Sequence, residues 1–277
     1  MNIQWYPGHM AKTRRQMEKD LREVDAVIEL ADARIVRSSR NPDLMALRGD
    51  KPALLVLGRA DLADPDCTAR WRQANPDSIE CNLIKSGAGK IIVPAVRKLL
   101  ADKLQKYAER GQSGRALRLM VTGVPNVGKS TLINALSGKR AAKAEDRPGV
   151  TRERRWFPVG DGLVLMDTPG MLWPKFDDPE TGLHLAFTGA VRDEIIDAET
   201  LCMHLCECLR DRAPEALRAR YGVTPEGTGL EIMEAIARRR GFLVSGGECD
   251  YERTARCVLD EFRAGKMGRI SLEEPNL

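Results

Sequence analysis

The chain of 277 residues is 43% hydrophobic and 30% charged, and this composition excludes an intrinsically disordered protein. Its length suffices for one large domain or two modest ones. The net charge of +4 permits nucleic-acid binding without requiring it, and no stretch approaches the roughly 20 apolar residues of a membrane helix. We therefore expect a cytoplasmic protein without a membrane partner, and we expect it to be a monomer.

Helices and strands alternate in the first half. Residues 10 to 24 have apolar positions at helical spacing, which predicts an amphipathic helix with a basic outer face. The continuous apolar run in DAVIELADAR indicates a strand buried on both sides of a parallel sheet. After a polar segment containing SSRNPDL, the predicted elements are the strand KPALLVLG, a helix around TARWRQA, a strand near SIECNLI and one long helix from about residue 90 to 110.

A charged, glycine-rich linker, AERGQSGR, separates this half from the next, which continues with the strand LRLMVTG, the helix KSTLINALSG and the strands WFPVG and LVLMDTPG. Such alternation specifies a parallel α/β sheet with helices on both faces. Beyond Pro174 only helical spacing persists, with helices expected near 189–210, 212–221, 228–240 and 250–264. We therefore predict an α/β domain at residues 1–178 and a small all-helical domain at 179–277.

Seven cysteines are scattered without a paired framework, so reduced thiols are expected. The segment CMHLCEC raises the alternative of a metal site, because Cys202 and Cys206, like His204 and Cys208, lie one helical turn apart. The two pairs point from different faces of a helix, which favours thiols that pack as small apolar groups.

GVPNVGKS fits the pattern Gly-x4-Gly-Lys-Ser and lies between an apolar strand and a helix. In such a loop, backbone N–H groups and the positive end of the helix surround phosphate oxygens. We expect Lys129 to reach the β- and γ-phosphates and Ser130 to ligate Mg²⁺. The nucleotide-contacting residues predicted here are Asn126, Val127, Gly128, Lys129, Ser130 and Thr131.

Two further segments fit the same site. LVLMDTPG places Asp167 at the end of an apolar strand, where a carboxylate can hold Mg²⁺, and the Gly170 N–H can reach the γ-phosphate. DRPGVT offers Thr151 on a loop that can close over Mg²⁺. The three segments together indicate a GTPase switch. A P-loop kinase acting on a small molecule is the disfavoured alternative, because no acceptor site is apparent.

The segments that would read a guanine base come before the phosphate loop. LVLGRAD ends at Asp61, and CNLIKSGAG contains Leu83 and Ile84. Nothing after residue 170 combines an apolar strand with a terminal Asn-Lys-x-Asp, the usual motif for reading guanine. In chain order the guanine-nucleotide motifs are therefore the fourth (LVLGRAD), the fifth (CNLIKSGAG), the first (GVPNVGKS), the second (DRPGVT) and the third (LVLMDTPG). The predicted fold is a circularly permuted P-loop GTPase, which is the same sheet with its chain opened elsewhere.

This motif order, with WYPGHMAK, GVPNVGKSTLIN, DRPGVT and DTPGMLWPKF, resembles the bacterial ribosome biogenesis GTPase A family, also called YlqF. The resemblance covers nearly the whole chain, through LAFTGAVRDEII, RRRGFLVSGGE and the closing GKMGRISLEEP. It implies a Mg²⁺-dependent GTPase, with GTP or GDP as ligand, that binds the large ribosomal subunit late in assembly and leaves after hydrolysis. It also implies that the helical domain contacts ribosomal RNA.

The base motifs depart from the family pattern, which has Asn-Lys-x-Asp where this chain has Gly58-Arg59-Ala60-Asp61. The carboxylate that pairs with guanine N1 and N2 groups is kept, and Arg59 can stack on the purine in place of Lys. The lost Asn amide should cost on the order of 1 to 3 kcal/mol, so we expect guanine preference with reduced affinity. Leu83 and Ile84 replace a small polar pair, but a backbone N–H can still contact guanine O6.

The residue after Asp-x-x-Gly is Met171, whose thioether cannot orient an attacking water as the Gln of many GTPases does. The resemblance points instead to His9, a neutral imidazole that could position the water, although a structural or merely exposed histidine is the competing interpretation. Asn126 could also help ligate a K⁺ ion. The residues assigned to catalysis are His9, Lys129, Thr151 and Gly170.

The third motif leads directly into the helical domain, so nucleotide state can be transmitted to it. Basic residues there are candidate contacts to RNA phosphates, with a solvated face as the competing explanation. They are Arg238, Arg239, Arg240, Arg253, Arg256, Arg263, Lys266 and Arg269. A different class of function is a nucleotide-dependent RNA scaffold that hydrolyses little, which the missing Asn at Gly58 motivates.

Overall fold

A computed structural model describes residues 9–84, 87–112, 114–138, 155–160, 162–176, 178–191 and 196–275. Its centre is a six-stranded sheet in the order β3-β2-β1-β4-β6-β5. The strands are β1 (Ala26–Asp32), β2 (Ala53–Gly58), β3 (Ile79–Cys81), β4 (Leu117–Thr122), β5 (Arg155–Pro158) and β6 (Leu163–Asp167). The predicted α/β class is confirmed, with a sheet that is parallel except at one edge.

The central strand of the sheet agrees with the predicted parallel arrangement, and the edge strand β5 departs from it. β1 is buried along its whole length, as the continuous apolar run of a central parallel strand requires. The edge strand β5 is antiparallel to β6. β5 ends at Pro158 and β6 begins at Leu163, a separation too short for the crossover that parallel neighbours need.

The helices described up to residue 138 flank this sheet: α1 (His9–Leu21), α2 (Pro42–Arg48), α3 (Pro65–Ala74), α4 (Ala88–Leu99), α5 (Ala101–Glu109) and α6 (Lys129–Ser137). The single long helix predicted near residues 90–110 is wrong, because Leu100 leaves helical geometry with φ −107° and ψ 20° and separates α4 from α5. α2 was not predicted, although Asn41 caps it and Pro42 is its first residue, both common start signals.

Beyond residue 178 the regular elements described are all helices: α7 (Pro179–Phe187), α8 (Ala198–Arg212), α9 (Pro214–Tyr221), α10 (Gly229–Arg240) and α11 (Tyr251–Arg263). α7 was not predicted, and the helix expected from residue 189 begins instead at Ala198, where Asp197 caps it. α8 packs against α10 and α11. The domain boundary itself stays a prediction, since one apolar core runs from the sheet into this helical unit.

The thiols of α8 belong to that core. Cys202 and Cys206 are fully buried, and the neighbouring Cys206 thiol together with burial raises the pKa of Cys202 well above its usual value. Across the described ranges, no cluster of three or more His, Cys, Asp and Glu side chains is arranged to hold a metal ion. Cys202 and Cys206 pack as apolar groups in the core. None of the helices within those ranges has the length and apolar character needed to span a bilayer.

Candidate functional site

The carboxyl ends of neighbouring strands meet at one edge of the sheet. β1 ends at Asp32, β2 at Gly58 and β6 at Asp167, and β4 leads into a loop that starts at Gly123. Ligands of open α/β sheets bind at this edge. The fold therefore brings together the first, third and fourth of the predicted nucleotide motifs.

The loop from Gly123 to α6 forms a cradle. Its backbone geometry requires glycine at two positions. Gly123 has a φ of 153°, and a Cβ there would lie 2.6 Å from the Leu30 carbonyl oxygen. Gly128 has a φ of 107° immediately before α6 begins at Lys129. The first N–H groups of α6 thus open onto the loop without intrahelical partners, which is the arrangement that binds phosphate.

Lys129 lies inside this cradle. Its Nζ donates hydrogen bonds to the carbonyl oxygens of Gly123, at 3.2 Å, and Val124, at 2.8 Å. Burial lowers the pKa of Lys129 to about 8, and the carboxylate of Asp167 partly opposes that effect. A buried ammonium group of lowered pKa is strongly stabilised by an anion, so the cradle suits phosphate.

The third motif packs against the cradle. Asp167 is buried at the end of β6. A Cβ on Gly170 would lie 2.6 Å from Pro125 Cα and 2.9 Å from Lys129 Nζ, so a side chain cannot be accommodated there. Ser130, the second residue of α6, is half-buried at the same place. Lys129, Ser130, Asp167 and Gly170 therefore share one site.

Met171 is fully buried, and the Asn41 side chain donates a hydrogen bond of 2.9 Å to its carbonyl oxygen. A thioether in that position cannot meet water at the phosphates. Of the other residues assigned to catalysis, Thr151 lies outside the described residues, and His9 is the first residue of α1. The described side chains thus supply phosphate-binding groups, and the water-positioning role of His9 stays a prediction.

The loop of residues 59–64, here called the base loop, is tied to the phosphate loop. Arg59 Nη2 donates to the Asn126 carbonyl oxygen at 2.7 Å, and its Nη1 lies 3.5 Å from Asp32 Oδ2. Both Arg59 and Asn126 have positive φ, of 54° and 56°, a strain that proteins keep mainly at functional sites. The guanidinium group bonds to these two partners, and its predicted stacking on a purine stays a prediction.

Asp61 follows in the same loop. It is exposed, in a turn closed by a 2.8 Å hydrogen bond from the Leu62 N–H to the Arg59 carbonyl oxygen. Ala60 precedes it and is half-buried. Packing accounts for the glycine at the end of β2, because a Cβ on Gly58 would lie only 3.0 Å from Leu30 Cδ1.

The fifth motif reaches the phosphate loop as well. Leu83 is buried, and its Cδ1 is 3.5 Å from a Cβ built on Gly128. The Ile84 N–H donates to Asn82 Oδ1 at 2.9 Å, so a contact from this N–H to guanine O6 would have to replace that bond. The Ile84 side chain is 86% exposed.

Sequence patterns gave no sign of the ties between the helical unit and this site. The Asn126 side chain donates to the Gly189 carbonyl oxygen at 2.8 Å. Arg263 donates to the carbonyl oxygens of Ala186 and Phe187 at the end of α7, and Arg269 donates to two carbonyl oxygens of the base loop. Arg263 and Arg269 thus make hydrogen bonds within the protein, and the RNA contacts predicted for them stay a prediction.

A buried ion pair supports the same edge of the sheet. Arg34 binds both carboxylate oxygens of Asp32, at 3.0 and 2.8 Å. Burial alone would raise the pKa of Asp32, but the charges of Arg34 and Arg59 hold it below its ordinary value. The Asp-Ala-Arg triplet at the end of β1 was the available signal for this pair.

Comparison with known proteins agrees with this geometry. The family profile described as "50S ribosome-binding GTPase" matches residues 118–221. The chain is 44% identical to "Ribosome biogenesis GTPase A" of Priestia megaterium over 100% of this chain and 98% of that protein, and 34% identical to mouse "Mitochondrial ribosome-associated GTPase 1" over 97% and 89%. The crystal structure of GNP-bound YlqF from T. maritima aligns with a TM-score of 0.66 at 28% identity, covering 96% of this chain and 99% of that one.

Proposed function

This chain belongs to the ribosome biogenesis GTPase A family and is a GTPase, and from this premise we propose that its GTP form binds late precursors of the large ribosomal subunit and leaves after hydrolysis. The observation that carries the proposal is the path from the third motif to the helices. Met171 follows Gly170, is held by Asn41, and leads through residues 172–178 into α7. Loss of the γ-phosphate at Gly170 can thereby move the helical unit.

The residues at the sheet edge fit a magnesium-bound nucleotide. Lys129 would bind the β- and γ-phosphates, with the N–H groups of residues 126–131 around them. Ser130 and Asp167 offer the hydroxyl and carboxylate oxygens that Mg²⁺ prefers, with Thr151 as a further ligand, and the metal would neutralise charge on the phosphates. The lowered pKa of the buried Lys129 supports this assignment.

Guanine would be read by Asp61, with Arg59 holding the base loop against the phosphate loop and with Leu83 and Ile84 beside the base. The carboxylate of Asp61 would accept hydrogen bonds from guanine N1 and N2. Replacing Asp61 by Asn should remove the preference for GDP over ADP in competition binding. An unchanged preference would contradict this role.

His9 is proposed to position the attacking water, and the burial of Met171 supports the need for such a group. Changing His9 to Ala should lower subunit-stimulated turnover by roughly a hundredfold while leaving GDP affinity nearly unchanged. Lost nucleotide binding would indicate a folding role instead. A K⁺ ion near Asn126 is a further element of the proposal, and comparing turnover in K⁺ and Na⁺ salts tests it.

The proposed RNA contacts are the predicted basic residues that are exposed to solvent, namely Arg238, Arg239, Arg240, Arg253, Arg256, Lys266 and Arg269. Cosedimentation with large ribosomal subunits should retain the protein with a non-hydrolysable GTP analogue and release it with GDP. Equal retention with both nucleotides, together with turnover that subunits do not stimulate, would favour the RNA scaffold. We propose a cytoplasmic monomer, and light scattering after size-exclusion chromatography tests the oligomeric state.

A further inference from the structure

The chain after α11 runs along the base loop. Arg269 Nε donates to the Ala63 carbonyl oxygen at 2.8 Å, and Arg269 Nη2 donates to the Ala60 carbonyl oxygen at 2.9 Å. The Ile270 N–H donates to the Leu62 carbonyl oxygen at 2.9 Å. The carbonyl groups of the residues before and after Asp61 are therefore both held by this carboxyl-terminal tail, residues 265–274.

Side-chain contacts continue this pairing at the end of the loop. The Asp64 N–H donates to Ser271 Oγ at 3.1 Å. Gly265 has a φ of 69°, and a Cβ on it would lie 2.5 Å from Leu62 Cδ2. The Leu62 side chain thus packs directly on the backbone of the tail, which fixes the distance between the two segments.

The tail has its own anchors, separate from the base loop. The Leu272 N–H donates to the Arg34 carbonyl oxygen at 2.8 Å. Glu273 accepts hydrogen bonds from Ser38 and from His184 Nδ1, the latter at 2.9 Å. Burial alone would raise the pKa of Glu273, but these partners hold it below its ordinary value. The tail is therefore anchored independently of the base loop and can serve as a support for it.

We propose that Arg269 is a positioning residue for guanine recognition: the tail pre-orders the base loop so that the Asp61 carboxylate meets the base. The inference rests on the proposed role of Asp61. Gly58 cannot supply the side-chain tie of the family's Asn, so the loop depends on Arg59 from one side and on the tail from the other. A loop that must be ordered upon binding loses affinity for the base it reads.

The test measures Kd for GDP and for ADP, by competition against a fluorescent GDP, in the full-length protein. ADP uses the phosphate cradle but cannot pair with Asp61. Arg269→Ala should weaken GDP binding roughly three- to tenfold and leave ADP binding unchanged. Arg269→Lys, which keeps the charge but has a single donor nitrogen in place of the two that Arg269 uses, should fall between. Arg218→Ala is the matched control, because Arg218 forms an exposed pair with Glu215 on α9.

Ser271→Ala is a milder variant that removes the bond accepted from Asp64, and it should weaken GDP binding about twofold with ADP again unchanged. Equal losses for GDP and ADP would overturn the proposal, because they indicate a general structural defect. So would unchanged GDP affinity in Arg269→Ala while Asp61→Asn removes the guanine preference, which would leave the assignment of Asp61 intact. If Asp61→Asn keeps the preference, the base assignment itself fails.

Discussion

The phosphate loop and the base loop lie side by side, yet they are held in different ways. Lys129 bonds to carbonyl groups of its own loop, five and six residues away. The base loop is held by Asn126 across 67 positions of the chain and by Arg269 across 209. The phosphate cradle is thus held by contacts within one short segment of the sequence, whereas the proposed base site depends on contacts between distant parts of the chain.

The largest expected effect comes from Lys129→Ala, which removes the buried cation of the cradle. GDP and ADP affinity should both fall on the order of a hundredfold, because a charge-assisted contact to phosphate is lost for any base. Competition binding with both nucleotides measures this. A loss confined to GDP would break the distinction between the two loops.

The pKa of Lys129, lowered to about 8, predicts a pH dependence of the same cradle. Phosphate favours the charged ammonium, so nucleotide affinity should fall by up to roughly tenfold per pH unit above pH 8, with proton uptake on binding.

The unfolded chain, whose lysine has the ordinary pKa of 10.5, binds more protons than the folded one between pH 8 and that value. Stability of the nucleotide-free protein should therefore gain from Lys129 as pH rises through that window.

Calorimetry in buffers of different ionisation enthalpy detects the proton uptake. ADP serves as the control, because guanine N1 also loses its proton in alkaline solution and adenine has no such group. A decline seen with GDP alone would assign the pH effect to the base. A decline that persists in Lys129→Ala would assign it to another cradle residue.

Restoring the family's Asn at Gly58 should have a smaller effect, limited by packing. A Cβ there would lie 3.0 Å from Leu30 Cδ1, so Gly58→Asn alone should change GDP affinity less than about threefold. In a Leu30→Val background the same change should tighten GDP binding by roughly tenfold relative to Leu30→Val alone. Measuring the Kd for GDP of the unchanged protein, the two single variants and the double variant completes this double-mutant cycle. Equal gains in both backgrounds would show that Leu30 does not oppose the Asn.

The same division explains what could be predicted from the sequence. The strands, α6 and the phosphate loop were recognisable, because apolar runs and a glycine-lysine motif are local signals. The start of α7 was missed although Asp178 caps it and Pro179 is its first residue, whereas no neighbouring glycine or proline marks the break at Leu100. The carbonyl contacts of Arg263 and Arg269 also escaped prediction, because the sequence does not show whether a basic residue meets RNA or a carbonyl group 209 residues away in the chain.

The smallest predicted effect tests which contacts of the tail order the base loop. Arg70 on α3 pairs with Glu274 at 2.6 Å, but both side chains are substantially exposed and the pair lies beyond the base loop. Arg70→Ala should therefore change GDP affinity by less than about twofold at physiological salt, because exposed ion pairs are screened and contribute little. Direct titration of the variant beside Arg269→Ala measures the difference. If the two variants lose equal affinity, the tail acts through its general attachment to the sheet, and its hydrogen bonds to the carbonyl groups around Asp61 have no special role.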